Sequence, residues 1–262
     1  MNPPAPLLRA LRDARHVVVF TGAGVSAESG LATFRDAMTG LWSRFDPTRL
    51  ATPEAFEANP ALVWGWYEWR RLRVRSAEPN AAHRAIAALE AKVPKVTVIT
   101  QNVDDLHERA GSRSPIRLHG SLFAPRCFDC GAAHEALADP PDDFEDGKEL
   151  APPRCGRCGG PIRPGVVWFG EALPEGAMQR SFAAARDCDV LLSVGTSGAV
   201  YPAADIPREA GRHGAIIVEV NPNATDLDDV ADYRLRGKAT EVLPALVEAA
   251  FATSASAGGR RA

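Results

Sequence analysis

The sequence predicts an α/β fold, a doubly wound parallel sheet carrying a small inserted metal-binding module. Three observations point there. Short, β-branched, almost continuously apolar runs recur along the chain with helix-periodic segments between them, the pattern of parallel strands covered on both faces. A glycine-rich turn directly follows the first of these runs. Four cysteines, in two C-x2-C pairs, lie in the one stretch that breaks the alternation.

The first strand is Val17-Val18-Val19-Phe20, and Thr21-Gly22-Ala23-Gly24-Val25-Ser26-Ala27-Glu28 follows it. Gly22, Gly24 and Ala27 fit the G-x-G-x-x-G/A spacing of a Rossmann-like dinucleotide site, whose glycines permit a tight turn and let the backbone approach a pyrophosphate at a helix N-terminus. A purely structural turn fits the same residues. Asp46 is at the distance of the usual ribose-binding acid but sits in Phe45-Asp46-Pro47, not at a strand end; the run ending Glu219-Val220-Asn221 is better placed. Thr33-Phe34-Arg35 suits phosphate pairing and ring shielding, and equally a core Phe and a surface Arg.

Helical candidates cover residues 60–75, aromatic on one side and rich in arginine, and residues 81–91, with Ala82, Ile86 and Leu89 on one side. The second strand, Val96-Thr97-Val98-Ile99, ends in Thr100-Gln101-Asn102-Val103-Asp104. Carboxyl ends of parallel strands are where such sheets bind ligands, although Asn102 or Asp104 serves as well as a helix cap. His119, before Gly120, is a candidate general base; on local context alone a structural histidine is the commoner reading. His16, His83, His107, His134 and His213 read as structural.

Residues 121–164 show no long strand and accumulate Cys, Pro, Gly and Asp, including a solvated acidic loop. Cys127, Cys130, Cys155 and Cys158 form two knuckle pairs suited to a tetrahedral zinc, with iron the main competitor. Four protein ligands leave no open position, so the metal is expected to be structural. The fifth cysteine, Cys188, reads as a small buried residue. Further strands lie at 190–194, before Gly195-Thr196-Ser197, and at 215–220; a helix is expected at 239–251 and a disordered tail at 252–262. The expected organisation is a Rossmann-like domain in three parts, 1–59, 81–120 and 165–251. A helical segment at 60–80 and the zinc module at 121–164 belong to a smaller domain.

Composition limits the function. Among 262 residues, 30 Lys plus Arg against 33 Asp plus Glu give a formal charge of −3, which offers no reason to expect nucleic acid as a partner. No apolar run approaches a membrane span, and residues 1–15 lack a secretory profile, so a cytoplasmic protein is expected, with a monomer as default.

Together the residues in 22–35 and 100–111, His119-Gly120, the cysteine quartet, Gly195-Thr196-Ser197 and Asn221 resemble the sirtuin family of NAD-dependent protein deacylases, over most of the chain. The resemblance implies that Gly22, Ala23, Gly24, Glu28, Thr33, Phe34 and Arg35 line an NAD pocket. Gln101, Asn102 and Asp104 would hold the nicotinamide ribose and carboxamide. Gly195, Thr196, Ser197, Asn221 and Ala239 would meet the adenosine side. It makes His119 the general base, with Asn102 beside it in the catalytic set, and Val166, Val167, Trp168, Phe169, Gly170 and Glu171 the stretch on which an acylated-lysine peptide adds as a strand. The implied reaction moves the acyl group from lysine to ADP-ribose and releases nicotinamide. Ala32 stands where the family often has Pro, and Asn221-Pro222-Asn223 departs from the commoner acidic continuation.

Tyr67 and Arg70, at i and i+3, share a helix face and could bind a carboxylate together. By composition alone this is an ordinary surface helix. It resembles the Tyr-x-x-Arg pair of the sirtuin branch that removes succinyl and malonyl groups, where Ala51 would widen the acyl pocket. The expectation is a deacylase biased to acidic acyl groups and still able to take acetyl-lysine. An NAD hydrolase or ADP-ribosyltransferase on the same scaffold, and a non-catalytic NAD-sensing interaction module, are the competing readings.

Overall fold

The first strand is buried along its whole length, and its side chains alternate between two cores. Val17 and Val19 face one core, Val18 and Phe20 the other, as period-2 geometry requires of a strand covered on both sides. The structure, a computed structural model, describes residues 3–31, 46–134 and 148–252. The expectations at Thr33, Phe34 and Arg35, in the acidic loop and in the tail beyond residue 252 lie outside them.

In chain order the elements are α1 (Ala5–Asp13), β1 (His16–Thr21), two 3-10 turns (Ala23–Val25 and Ala27–Ser29), α2 (Pro47–Leu50), α3 (Pro53–Ala58), α4 (Pro60–Ser76), α5 (Ala81–Leu89), β2 (Lys95–Thr100), α6 (Leu106–Arg109), β3 (Ile116–Arg117), β4 (Gly120–Cys127), β5 (Ile162–Val166), α7 (Glu175–Asp187), β6 (Val190–Val194), α8 (Asp205–Arg212), β7 (Ile216–Val220), β8 (Tyr233–Leu235) and α9 (Ala239–Phe251). Six strands form one sheet in the order β3-β2-β1-β6-β7-β8. Every pairing in it is parallel. Strand order reverses between β1 and β6, so their carboxyl ends, Thr21 and Val194, flank the crevice where such sheets take ligands.

Leu7 and Leu11 of α1, Ile86 and Leu89 of α5, and Leu243 and Leu246 of α9 cover one face of the sheet. Ala184 and Ala185 of α7 and Ile206 and Ala210 of α8 cover the other, with Cys188 buried among them. A third core joins Phe56, Trp64, Trp66 and Tyr67 to Leu122, Cys127, Ile162, Val166 and Trp168. The helical segment and the cysteine module therefore share one hydrophobic core. That core also takes in Leu50, Ala51 and Phe56, ahead of the boundary expected at residue 60.

Asn59 starts α4: its side chain accepts from Leu62 N at 3.0 Å, ahead of Pro60 in the first turn. Residues 121–164 do hold a long strand, contrary to expectation. β4 runs for eight residues antiparallel to β5, but pairing shifts between Ser121 and Arg126, and Pro125 lies in the irregular part. The break disrupts the alternation by which a strand is recognised. Gly165 sits where β4 crosses closest, and a Cβ there would meet the Ala124 carbonyl oxygen.

Candidate functional site

The glycines after β1 hold two loops together. Gly22 N–H donates to Val194 O at 3.0 Å and Gly24 N–H to Gly195 O at 2.8 Å. A Cβ on Gly24 would lie 2.7 Å from Gly195 O, and one on Gly22 2.8 Å from Thr196 Cβ. Gly195 itself has φ of 59°, in the left-handed region that disfavours side chains. The loops after β1 and β6 thus pack backbone to backbone at the crevice. The helix N-terminus expected directly after the glycines is replaced, in the residues described, by the two 3-10 turns.

On the β6–β7 side, Gln101 Nε2 donates to Thr196 Oγ1 at 2.9 Å, and Asn221 Nδ2 donates to Thr196 O at 3.0 Å. Ser197 O accepts from Asp226 N at 3.1 Å. Gln101, Thr196, Ser197 and Asn221 therefore form one connected rim across the ends of β2, β6 and β7. Glu28 carries its carboxylate away to Lys238, at 3.3 Å, and to Thr240, clasping the second 3-10 turn to the start of α9, where Ala239 is buried.

His119 Nδ1 lies 2.9 Å from Gln101 O. A carbonyl only accepts, so Nδ1 carries the proton and the neutral ring presents an unprotonated Nε2. Burial depresses the His119 pKa below its ordinary value, against the pull of that hydrogen bond, and so favours the neutral base.

Behind it, Ser26 Oγ donates to Asp104 Oδ2 at 3.0 Å and accepts from Asn102 Nδ2 at 3.1 Å. His83 Nδ1 accepts from Asn80 N, so His83 Nε2 is the protonated nitrogen facing Ser26 Oγ at 3.4 Å. One residue ahead of the N-cap of α6, Asp104 also accepts from Leu106 N through its Oδ1 at 3.1 Å, and burial raises its pKa. Asn102 caps nothing; its amide is spent on Ser26.

The 166–171 stretch is pinned from both sides. Val167 N–H donates to His119 O and Phe169 N–H to Ala51 O, each at 2.9 Å. Glu171 faces inward: its carboxylate takes Arg163 Nη2 at 2.9 Å and Trp168 N–H at 2.8 Å, so it shapes the stretch from within. Tyr67 and Arg70 share the face of α4 as expected, with the Arg70 guanidinium carbon 4.9 Å from the Trp66 ring centre and 5.8 Å from that of Tyr67. Tyr67 is buried, which pushes its phenol up to about 12, and its Oη accepts from Trp168 Nε1 at 3.0 Å.

The four cysteines converge as their spacing demands. All four sulfurs lie within 4.8 Å of one another, with Cys127 and Cys158 at 3.4 Å and Cys130 and Cys155 at 3.8 Å. A tetrahedron with Zn–S bonds of about 2.3 Å separates its sulfurs by about 3.8 Å. Backbone N–H donors, Arg157 foremost, bring the Cys155 thiol down, while the neighbouring cysteines push Cys158 up, as expected of four sulfurs crowded together. The set fits zinc and leaves no place for a fifth, reacting ligand.

Against known proteins, the Sir2 family model matches residues 22–202. The chain belongs to the Sir2 family. An NAD-dependent protein deacylase of Methylococcus capsulatus is 60% identical over 243 residues, covering 93% of this chain and 95% of the relative. NAD-dependent protein deacylase 1 of Pseudomonas aeruginosa is 59% identical, covering 94% and 98%. Among solved structures, a Sir2 homologue–NAD complex superposes with a TM-score of 0.87 at 46% identity, covering 95% of this chain and 94% of that one. Sir2Af2 bound to a myristoylated histone peptide superposes at 0.75 with 38% identity, covering 94% of each.

In this Sir2-family chain, sequence reasoning passed over Ser26 and Arg163, while His83 and His107 are the structural histidines expected. His107 Nε2 lies 2.9 Å from Thr21 Oγ1 and its ring stands 5.0 Å from that of His83. Burial drives His83 to about 4 and His107 to about 3, so both stay neutral supports of the strand ends. The sequence signal of Ser26 is position: it lies in the glycine turn.

Proposed function

We propose that this chain is an NAD-dependent protein-lysine deacylase that prefers succinyl- and malonyl-lysine and also accepts acetyl-lysine, acting in the cytoplasm as a monomer. The deacylase reading rests on one observation above the rest: His119, neutral, locked by Gln101 O with Nε2 unprotonated, and tied through its own carbonyl to the 166–171 stretch. The named deacylases of similar sequence and the NAD and acyl-peptide complexes of similar fold support it.

When bound, NAD supplies an activated ribose carbon that takes the acyl oxygen as nicotinamide leaves. The protein's part is positional and acid–base. The ends of β2, β6 and β7 offer Gln101, Thr196, Ser197 and Asn221 as a polar rim, and Asn102 with Asp104 lie at the end of β2, fixed by Ser26. His119 Nε2 takes a proton from a ribose hydroxyl, a task suited to a base whose pKa is below neutrality. Residues 166–169 offer backbone to an extended peptide, which would place an acyl-lysine beside His119.

The acyl preference rests on Tyr67 and Arg70. Arg70 supplies charge, Tyr67 a neutral hydroxyl, and Ala51 a small wall whose carbonyl is already engaged by Phe169. A hydrogen bond to a charged group is worth about 1.5–3 kcal/mol, a preference of roughly 10- to 150-fold. The test is mass spectrometry of acetyl-, malonyl- and succinyl-lysine peptides incubated with NAD. Free lysine with O-acyl-ADP-ribose is expected, most rapidly from the acidic peptides. NAD consumption without peptide change refutes deacylation; equal rates refute the acidic preference.

A further inference from the structure

Tyr67 reads an acidic acyl group only if its hydroxyl proton points at the ligand. A phenol oxygen has two in-plane directions, one holding the proton and the other a lone pair, so a buried hydroxyl is a donor or an acceptor at a given point depending on its neighbours. Trp168 Nε1 lies 3.0 Å from Tyr67 Oη, and an indole N–H only donates. That bond occupies one direction and sends the Tyr67 proton to the other.

The indole is itself held in place. Arg163 stacks on it with the guanidinium carbon 3.4 Å from the ring centre, and Arg163 is 4% exposed. The guanidinium is anchored by the Glu171 carboxylate and by Val166 O, the latter at 3.0 Å. Glu171 closes the loop by accepting from Trp168 N–H at 2.8 Å. The Phe56 ring, 5.4 Å from the indole, packs against it as well. Trp168 has one available orientation, and with it the phenol has one proton direction.

We propose that Trp168, fixed by the Arg163–Glu171 pair, is the positioning residue that makes Tyr67 an obligate hydrogen-bond donor and thereby sets the preference for acidic acyl groups. This rests on the carboxylate-pocket reading above. It assigns the indole N–H a task separate from the peptide-binding backbone of its segment.

The test is a double-mutant cycle on the succinyl-to-acetyl ratio of kcat/KM, with Trp168→Phe, Tyr67→Phe and the double variant in the full chain. Trp168→Phe keeps a ring for Arg163 to stack on and removes the N–H together with the second ring of the indole; the Tyr67→Phe background separates the two losses. The ratio is expected to fall about 2- to 13-fold, the range of one ordinary hydrogen bond. In the Tyr67→Phe background the same change should leave the ratio where Tyr67→Phe alone put it, because the coupling runs through one hydroxyl. A purely structural Trp168 lowers the ratio equally in both backgrounds, and that result overturns the proposal. So does an unchanged ratio in Trp168→Phe while Tyr67→Phe lowers it; the acidic pocket then stands without Trp168. If Tyr67→Phe leaves the ratio unchanged, the pocket reading fails and this proposal falls with it. Circular dichroism of each variant excludes misfolding as the source of a lost ratio.

Discussion

Gly24→Ala separates two explanations of the glycine turn. If Gly24 exists to let a phosphate approach, the substitution leaves the ligand-free protein intact and weakens only dinucleotide binding. The structure predicts otherwise. The new Cβ would sit 2.7 Å from Gly195 O and 2.8 Å from Gly195 Cα, where ordinary contact begins at 3.4 Å, so the two loops must part by about 0.7 Å. Both obstacles are backbone, and neither can swing aside as a side chain would. The parting also stretches the 2.8 Å bond from Gly24 N–H to Gly195 O. Overpacking of this kind costs about 1–3 kcal/mol. A chain of this size loses roughly 2–4 °C of Tm per kcal/mol, so the ligand-free Tm should fall by roughly 2–12 °C. Scanning calorimetry without NAD is the assay. Gly176→Ala is the control: in α7 its Cβ would meet only Arg180 Nη1 at 3.5 Å, and Tm should hold or rise. A Gly24→Ala protein with wild-type ligand-free Tm and a raised KM for NAD would refute the packing argument.

Other outcomes follow from the same geometry. His83 and His107 titrate far below an unfolded histidine, near 4 and 3 against 6.5, so between these values the unfolded chain binds the extra protons; stability should be lost as pH falls below 6.5, by about 2 kcal/mol per pH unit near pH 5, partly offset by the raised pKa of Asp104, and His107→Gln should flatten the slope in urea titrations run at successive pH values. His119→Ala should abolish turnover while leaving NAD binding by calorimetry near wild type, and the acid limb of kcat/KM in the parent should lie below pH 6.5; a limb above it contradicts a burial-depressed base. Stripping metal with a chelator should release close to one zinc per chain and lower Tm, since Cys127 and Cys155 belong to the third core; unchanged melting counts against a structural zinc.

Local chemistry made much of this legible. The strands at 17–20, 96–100, 190–194 and 215–220 announce themselves because parallel strands covered on two faces are almost continuously apolar, and helix α9 is found where its periodicity placed it. The cysteine quartet is equally readable, because tetrahedral ligation demands paired donors on knuckle turns. β4 and β5 were not legible: an irregular pairing around Pro125 erases alternation. Helices α7 and α8 escaped notice too, since what they bury is mostly alanine, with Ser181, Ile206 and Pro207, in place of a bold apolar stripe.

What the sequence determined by itself is therefore the four inner strands of the sheet, the metal ligands and the set of polar residues at strand ends, each specified by neighbours a few positions away. Only the tertiary structure decided what those residues do to one another. Gly24 answers to Gly195, His119 to Gln101 O, and Tyr67 to Trp168, across separations of 171, 18 and 101 positions. Donor direction, tautomer and close backbone approach belong to pairs of atoms, and folding is what makes the pairs.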